Sequence, residues 1–390
     1  MFTVFFQTLL TKKGESCTMK ISCKEEVHGM YDFNNVRVPE KFYNHPLFSK
    51  RIKGMNFGFL SKRGYYAQPE MLAQPEKMAE MGVNCVTLNQ NIVQDHYYST
   101  DIRLDLEWSV GDLELKEMAD RLHSYGIMVL FKPCMTCLDG QPMVSVTFPE
   151  AGTQINGVRV DYWKAWFESY RRIIRYSADL AERLGFDGLM LGAENLGTEH
   201  KEQEWYKVIE DARSIYGGPL TYEFTFASRK KNQMNWLNEL DFLSYSYYPP
   251  ACPPEHKGDP DNNPVYTYED MYNYLLPRRE RIISISERFG NKPILFTEYG
   301  VRSSHGSIQV PWNFMWKARY DGDEQANFMK ASWDVFKVLP QWMGWCWWKW
   351  DETQLRPHYF DEPGCDKGFT IQGKPAEQVW RTIDPNEYID

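Results

Sequence analysis

No run of about 18 apolar residues occurs in this sequence, so nothing in it reads as a membrane-spanning helix. It also lacks a basic stripe or any block of like charge, and its formal net charge is −9. Nucleic acid and anionic membranes are therefore poor candidates for partners. No G-x-G-x-x-G or G-K-S/T follows the first predicted strand, which argues against an open sheet built around a phosphate loop. No internal repeat, low-complexity segment or linker divides the chain. The first ten residues are apolar but carry neither a basic start nor a small-residue cleavage site, a poor match to an export signal. The expectation is a cytoplasmic protein, with Met19 as an alternative start. Eight cysteines are present, yet Cys134-Met-Thr-Cys137 is a lone pair without two further ligands at matching spacing. No metal and no cofactor is expected. Cys85, Cys134 and Cys346 fall in or beside apolar strand-like runs, where the thiol acts as a small buried hydrophobe.

Aromatic residues, by contrast, are abundant at 15%, with 14 Trp and 24 Tyr. Most belong to core packing; some are candidates for platforms that stack on sugar rings, since they are rigid and amphipathic. From about residue 54 short apolar runs alternate with longer helical patterns, as successive βα units do. The strands are expected at 53–59, 84–89, 127–132 (ended by Pro133), 186–195, 219–224, 241–247, 291–300 and 341–348. Between them, the strongest helical period spans Tyr162 to Leu184, closed by Gly185, and a long helix is expected from Tyr268 to Phe289. Eight strands and eight helices in alternation imply a closed (β/α)8 TIM barrel, a single domain over 51–390 behind a partly irregular extension of 1–50.

Two of these strands end on glutamate. Ile294-Leu-Phe-Thr-Glu298 is an apolar run opened by Pro293 and followed by Gly300, and Phe186-Asp-Gly-Leu-Met-Leu-Gly-Ala-Glu194 repeats the arrangement. The carboxyl ends of barrel strands display the working residues. A pair of carboxylates there is what cleavage of a glycosidic bond requires. A structural buried acid explains one such residue easily; two at matching strand ends are harder to dismiss, because an unpaired buried carboxylate is costly. Other groups reach the same face. Lys132, ending strand three, can bind a substrate hydroxyl or pair with a neighbouring carboxylate. Glu223 ends strand five and can bind a hydroxyl or tune the pair. Asn195 directly follows Glu194. Asp351 and Glu352 follow strand eight, the latter expected as a solvated rim charge, and His305 and His358 read as surface residues of long loops.

On this strand count the glutamates fall on strands four and seven, an arrangement that resembles the clan of retaining (β/α)8 glycosidases. Within that clan the sequence is similar to glycoside hydrolase family 113, the β-mannanase-like barrels. The matching stretches are Arg63-Gly-Tyr-Tyr-Ala67, Phe131-Lys-Pro133, Gly192-Ala-Glu194, Gly218-Pro-Leu-Thr-Tyr222, Tyr245-Ser-Tyr-Tyr-Pro249 and Phe296-Thr-Glu-Tyr-Gly300. They run in order between about residues 54 and 384. The resemblance implies that Glu194 is the acid/base and Glu298 the nucleophile. It also implies that Tyr247, or Tyr248 in its place, holds the nucleophile ionised, and that Trp348 or Trp350 floors the sugar site. Most of the clan has Asn immediately before the acid/base; here Ala193 stands there, as in family 113. The contact to the sugar 2-hydroxyl is thus left open, with Asn89 and Asn91 as candidates. The expected substrate is a β-mannoside or a short β-1,4-manno-oligosaccharide. The alternatives are another β-glycoside (xyloside, glucoside or galactoside), transglycosylation, or a barrel that binds sugar without cleaving it. Loops 138–160 and 249–265 decide whether attack is endo or exo. Oligomeric state is not readable from the sequence.

Overall fold

Eight strands of alternating apolar residues, each followed by helical sequence, close on themselves in the computed structural model, which describes residues 36–231, 233–253, 260–316, 318–350 and 367–387. In chain order these are β1 (Ile52–Phe57), β2 (Cys85–Gln94), β3 (Met128–Cys137), β4 (Gly188–Ala193), β5 (Leu220–Thr225), β6 (Leu243–Ser246), β7 (Ile294–Tyr299) and β8 (Trp342–Trp347). Each pairs in parallel with the next, and β8 pairs back onto β1. This is the (β/α)8 barrel that the alternation implies. Gly344 lets the ring close: its φ is +115°, and a Cβ there would lie 2.1 Å from the Ile52 carbonyl oxygen.

Two cores result. Outside the strands, apolar helix faces pack on the barrel; Trp166, Tyr170, Ile174 and Ala181 of the Tyr162–Leu184 helix are buried at helical spacing. Inside, Ile52, Cys85, Leu130, Met190, Leu295, Met343 and Cys346 meet Val36, Val38, Phe42, Leu47 and Phe48. The described part of the N-terminal extension therefore packs into the inner core, with Phe48 set edge-on against Phe242 at 5.9 Å.

Two expectations fail locally. Proline does not end β3, which runs through Pro133 to Cys137, in register with β2 from Cys85↔Met128 to Gln94↔Cys137. On its other side β3 pairs with β4 only at Leu130 and Phe131. Pro133 thus lies on an open edge, where a missing N–H costs no ladder bond. The long helix is in fact two, Tyr268–Leu275 and Arg278–Arg288, divided at Pro277, whose ring and absent N–H break the helical ladder.

Candidate active site

Strand parity decides which side chains meet at the carboxyl end of the barrel. Glu298 in β7 pairs in register with Ser246 at the end of β6. Glu194 follows β4 directly in a left-handed conformation, φ +53°, and its N–H donates to the Glu223 carbonyl at 2.9 Å. Such a backbone is unfavourable for a residue with a Cβ and is found where the surroundings enforce it, often at functional sites. Glu223 in β5 is in register with Ala193. One carboxyl oxygen from each of Glu194, Glu223 and Glu298 lies within 4.8 Å of the others.

The fully buried Lys132 ammonium sits among them, 2.5 Å from Glu298 Oε1 and 2.8 Å from Glu223 Oε1. Burial opposes its charge, but its acidic neighbours Glu223 and Glu298 outweigh this and hold Lys132 well above the ordinary lysine range. Burial, then the Glu298 charge, pushes Glu194 up to about 7, against a hydrogen bond from Ser246 and the attraction of Lys132. Burial likewise raises Glu223 to about 8; Lys132 opposes the rise, and the charges of Glu298 and Glu194 add to it. The arrangement offers a carboxyl that keeps its proton near neutrality, beside a carboxylate held by a cation. That is the separation acid and nucleophile chemistry needs.

Of the two tyrosines, it is Tyr248 whose hydroxyl donates to Glu298 Oε2, at 3.2 Å. Tyr247 faces away from the site, stacked on Tyr245 at 4.6 Å and against Phe296 at 4.9 Å. Ser246 and Tyr248 share a face and Tyr247 takes the other, so the expectation for Tyr247 is corrected by one residue. The tryptophans separate in the same way. The Trp348 ring lies 5.8 Å from Lys132 Nζ and packs edge-on against Phe59 at 4.8 Å. Trp350 is buried away from the site, its indole N–H donating to Gln74 Oε1 at 3.1 Å. Trp345 stacks on Tyr299 at 5.3 Å in the helix-facing layer.

Three asparagines are engaged elsewhere. The Asn89 amide donates to the Phe57 carbonyl at 2.8 Å and its oxygen accepts from Cys134 Sγ at 3.2 Å. Asn91 donates to the carbonyls of Ser61 and Trp108. Asn195 is buried against the Tyr170 hydroxyl at 3.1 Å, between barrel and helix. None of the three joins the carboxyl group. Ser246, which the sequence reading passed over, does; the only signal for it was the alternation Ser244, Tyr245, Ser246 that puts small polar side chains on the inner face. Asp351, Glu352 and His358 lie outside the described residues.

The model of Glycoside Hydrolase Family 113 matches residues 55–374. The chain belongs to glycoside hydrolase family 113. Among solved structures it is similar to the family 113 β-mannanase AaManA from Alicyclobacillus acidocaldarius in complex with ManMIm. That likeness has 27% identity and a TM-score of 0.72, and covers 85% of this chain and 96% of that one. A second family 113 β-1,4-mannanase is 25% identical with a TM-score of 0.69, over 85% of this chain and 98% of its own. A family 5 mannosidase from Rhizomucor miehei shares the fold at 10% identity and a TM-score of 0.55, over 85% and 92% of the two chains. A comparison with curated proteins finds no match.

This family 113 glycoside hydrolase has a second cluster of acids, and it corrects another expectation. His305 is fully buried instead of superficial, with Nδ1 2.8 Å from Asp321 Oδ2 and Nε2 2.7 Å from the Asn263 carbonyl. Glu324 lies 3.5 Å from the same Nδ1. In each cluster one ligand atom from every member lies within 4.8 Å of the others, Glu194, Glu223 and Glu298 in one and His305, Asp321 and Glu324 in the other; in the first, the Lys132 ammonium bonds two of the three. No helix among the described residues is long and apolar enough to cross a membrane.

Proposed function

We propose that the protein is a retaining β-glycoside hydrolase acting on β-mannosides or short β-1,4-manno-oligosaccharides by double displacement. The observation that carries the reading is the carboxyl group itself. Glu298, held by Lys132 and Tyr248, stands within 4.8 Å of Glu194, whose burial keeps its proton to about pH 7. So close a spacing suits direct attack by one carboxylate better than an inverting pair, which needs room for a water.

In the first step a Glu298 oxygen attacks the anomeric carbon as the glycosidic C–O bond breaks. The leaving oxygen takes its proton from Glu194. Glu298 becomes an ester and Glu194 a carboxylate. In the second step Glu194 removes a proton from water, the water oxygen displaces the ester at the anomeric carbon, and Glu298 leaves as a carboxylate. Tyr248 and Lys132 donate to Glu298 whenever it is charged, and Trp348 supplies an apolar floor for the sugar. The choice of mannose rests on family membership and on the mannanase structures the chain is similar to.

The test compares wild type and Glu298→Ala on aryl β-mannoside, β-glucoside, β-xyloside and β-galactoside, beside mannobiose to mannohexaose. Cleavage of the mannosides by wild type alone supports the reading; cleavage of another sugar keeps the mechanism and moves the substrate. Transfer products formed in excess of hydrolysis would instead mark a transglycosidase.

A further inference from the structure

Retention needs two carboxyl groups, and this site has three. Glu223 is fully buried, and among the described residues its Oε2 has no hydrogen-bond partner. The groups facing it come from every neighbouring element: Lys132 and Cys134 of β3, Glu194 after β4, Tyr248 after β6 and Glu298 of β7. Lys132 is the one cation among them. A charge taken out of water needs a counter-charge, and a carboxyl group that cannot find one keeps its proton instead. One ammonium can balance one carboxylate.

We propose that Glu223 is a neutral carboxylic acid in the working enzyme, a positioning residue that holds Lys132 on the nucleophile without sharing its charge. The inference rests on the retaining-glycosidase reading for its consequence, though not for its geometry. In the free enzyme Glu298 is the anion paired with Lys132, while Glu194 and Glu223 keep their protons. Attack transfers the Glu194 proton to the departing oxygen and turns Glu298 into a neutral ester, so the negative charge moves from Glu298 to Glu194. Lys132 stays charged and Glu223 stays protonated throughout. The four groups are then neutral as a set both before attack and in the glycosyl-enzyme, a balance that an ionised Glu223 would break at each stage. The uncharged Glu223 accepts the Lys132 hydrogen bond at Oε1 and fixes the ammonium 2.5 Å from Glu298. Bearing its proton on Oε2, it leaves a neutral group, not half of a carboxylate, as the unpartnered buried atom. The rise of Glu223 to about 8 through burial agrees in direction with a proton retained at neutral pH.

Infrared difference spectroscopy of wild type against Glu223→Gln tests this without relying on turnover. The expected result at pH 6.5 is a carbonyl band of a protonated carboxyl in wild type that the variant lacks and that fades above about pH 8. Kinetics read the consequence. Glu223→Gln keeps an acceptor for Lys132 and removes no charge, so kcat falls several-fold while the acid limb of the pH profile stays in place. Glu223→Ala loses the acceptor, and kcat falls roughly ten- to a hundredfold. Lys132→Met removes the cation and moves the acid limb towards higher pH. The proposal is overturned if wild type and Glu223→Gln have the same carboxyl band region at pH 6.5. It is also overturned if Glu223→Gln moves the acid limb to lower pH, as deletion of a negative charge beside Glu298 would. Failure of wild type to cleave any β-glycoside would instead count against the proposed function and leave the infrared result standing.

Discussion

The carboxyl cluster at the barrel mouth and the His305 cluster look alike as inventories. Each brings acids around one basic group, and each contains a glutamate raised to about 7 by burial, Glu194 in one and Glu324 in the other. They differ in what remains unpaired. Around His305 every acid is tied down: Glu324 accepts from the Gly306 N–H at 2.9 Å and the Ile308 N–H at 3.4 Å, and Asp321 accepts from the Glu324 N–H at 3.0 Å, capping the Gly322–Phe336 helix. At the mouth, Glu194 and Glu298 are half-buried and Glu223 keeps an unpartnered oxygen. A raised pKa alone therefore does not separate a working site from a structural one. Satisfied main-chain bonds do, because they leave nothing for a ligand to replace.

The strongest way to break the comparison is at Glu298. Glu298→Ala should lower kcat at least about 10⁴-fold, as loss of a nucleophile does. Azide or formate should restore part of the activity by taking the carboxylate's place. Retained activity would move the nucleophile elsewhere. Next, Glu194→Ala should cost roughly 10²–10⁴-fold on manno-oligosaccharides and much less on aryl mannosides, whose leaving groups need little protonation. Equal losses on both would remove Glu194 from the acid role.

The His305 side of the comparison should respond in stability. His305→Ala removes a fully buried ring and its hydrogen bonds to Asp321 and the Asn263 carbonyl, which costs about 3 kcal/mol of folding free energy. Chemical denaturation reads this, while kcat per folded molecule stays close to wild type. A large fall in kcat without a fall in stability would make the second cluster functional. A smaller test works at single-residue resolution. Tyr248→Phe removes a donor to the nucleophile and should lower kcat roughly tenfold, the scale of one hydrogen bond to a charged group. Tyr247→Phe, with its ring in the outer core, should leave kcat within about twofold. Reversed magnitudes would undo the parity assignment.

How much was legible beforehand follows from the same physics. The barrel was readable because most strands contain a short apolar run and the longer helices repeat at 3.6 residues, signals that survive without knowledge of contacts. Glu194 and Glu298 were readable because they end such strands. Tyr247 against Tyr248 was not, since the choice depends on where β6 stops, and ends are where sequence patterns are weakest. Asn89 and Asn91 were misplaced for a related reason. β2 extends to Gln94 as a ribbon with β3, so both lie within a strand whose neighbours use their amides. His305 carries no local pattern at all; its partners come from 16 and 42 residues away.

The smallest effect bears most directly on what the mouth costs the fold. Glu194 is held at about 7 in the folded protein, against an ordinary value of 4.5. Between those two values the unfolded chain has released its proton while the folded one retains it. Stability therefore falls as pH rises through that window, and the deficit persists above it. Gln has no proton to release and no charge to bury. Glu194→Gln should accordingly melt above wild type at pH 8, by about 2 °C, and the gap should close at pH 4, where wild type is protonated in both states. The same substitution at Glu324 need not behave alike. There the carboxyl accepts main-chain N–H donors, and a Gln amide would turn one acceptor into a donor facing a donor. Glu324→Gln should therefore lower the melting temperature at both pH values. If the two variants shift in the same direction, the distinction between an unsatisfied mouth and a satisfied structural cluster fails.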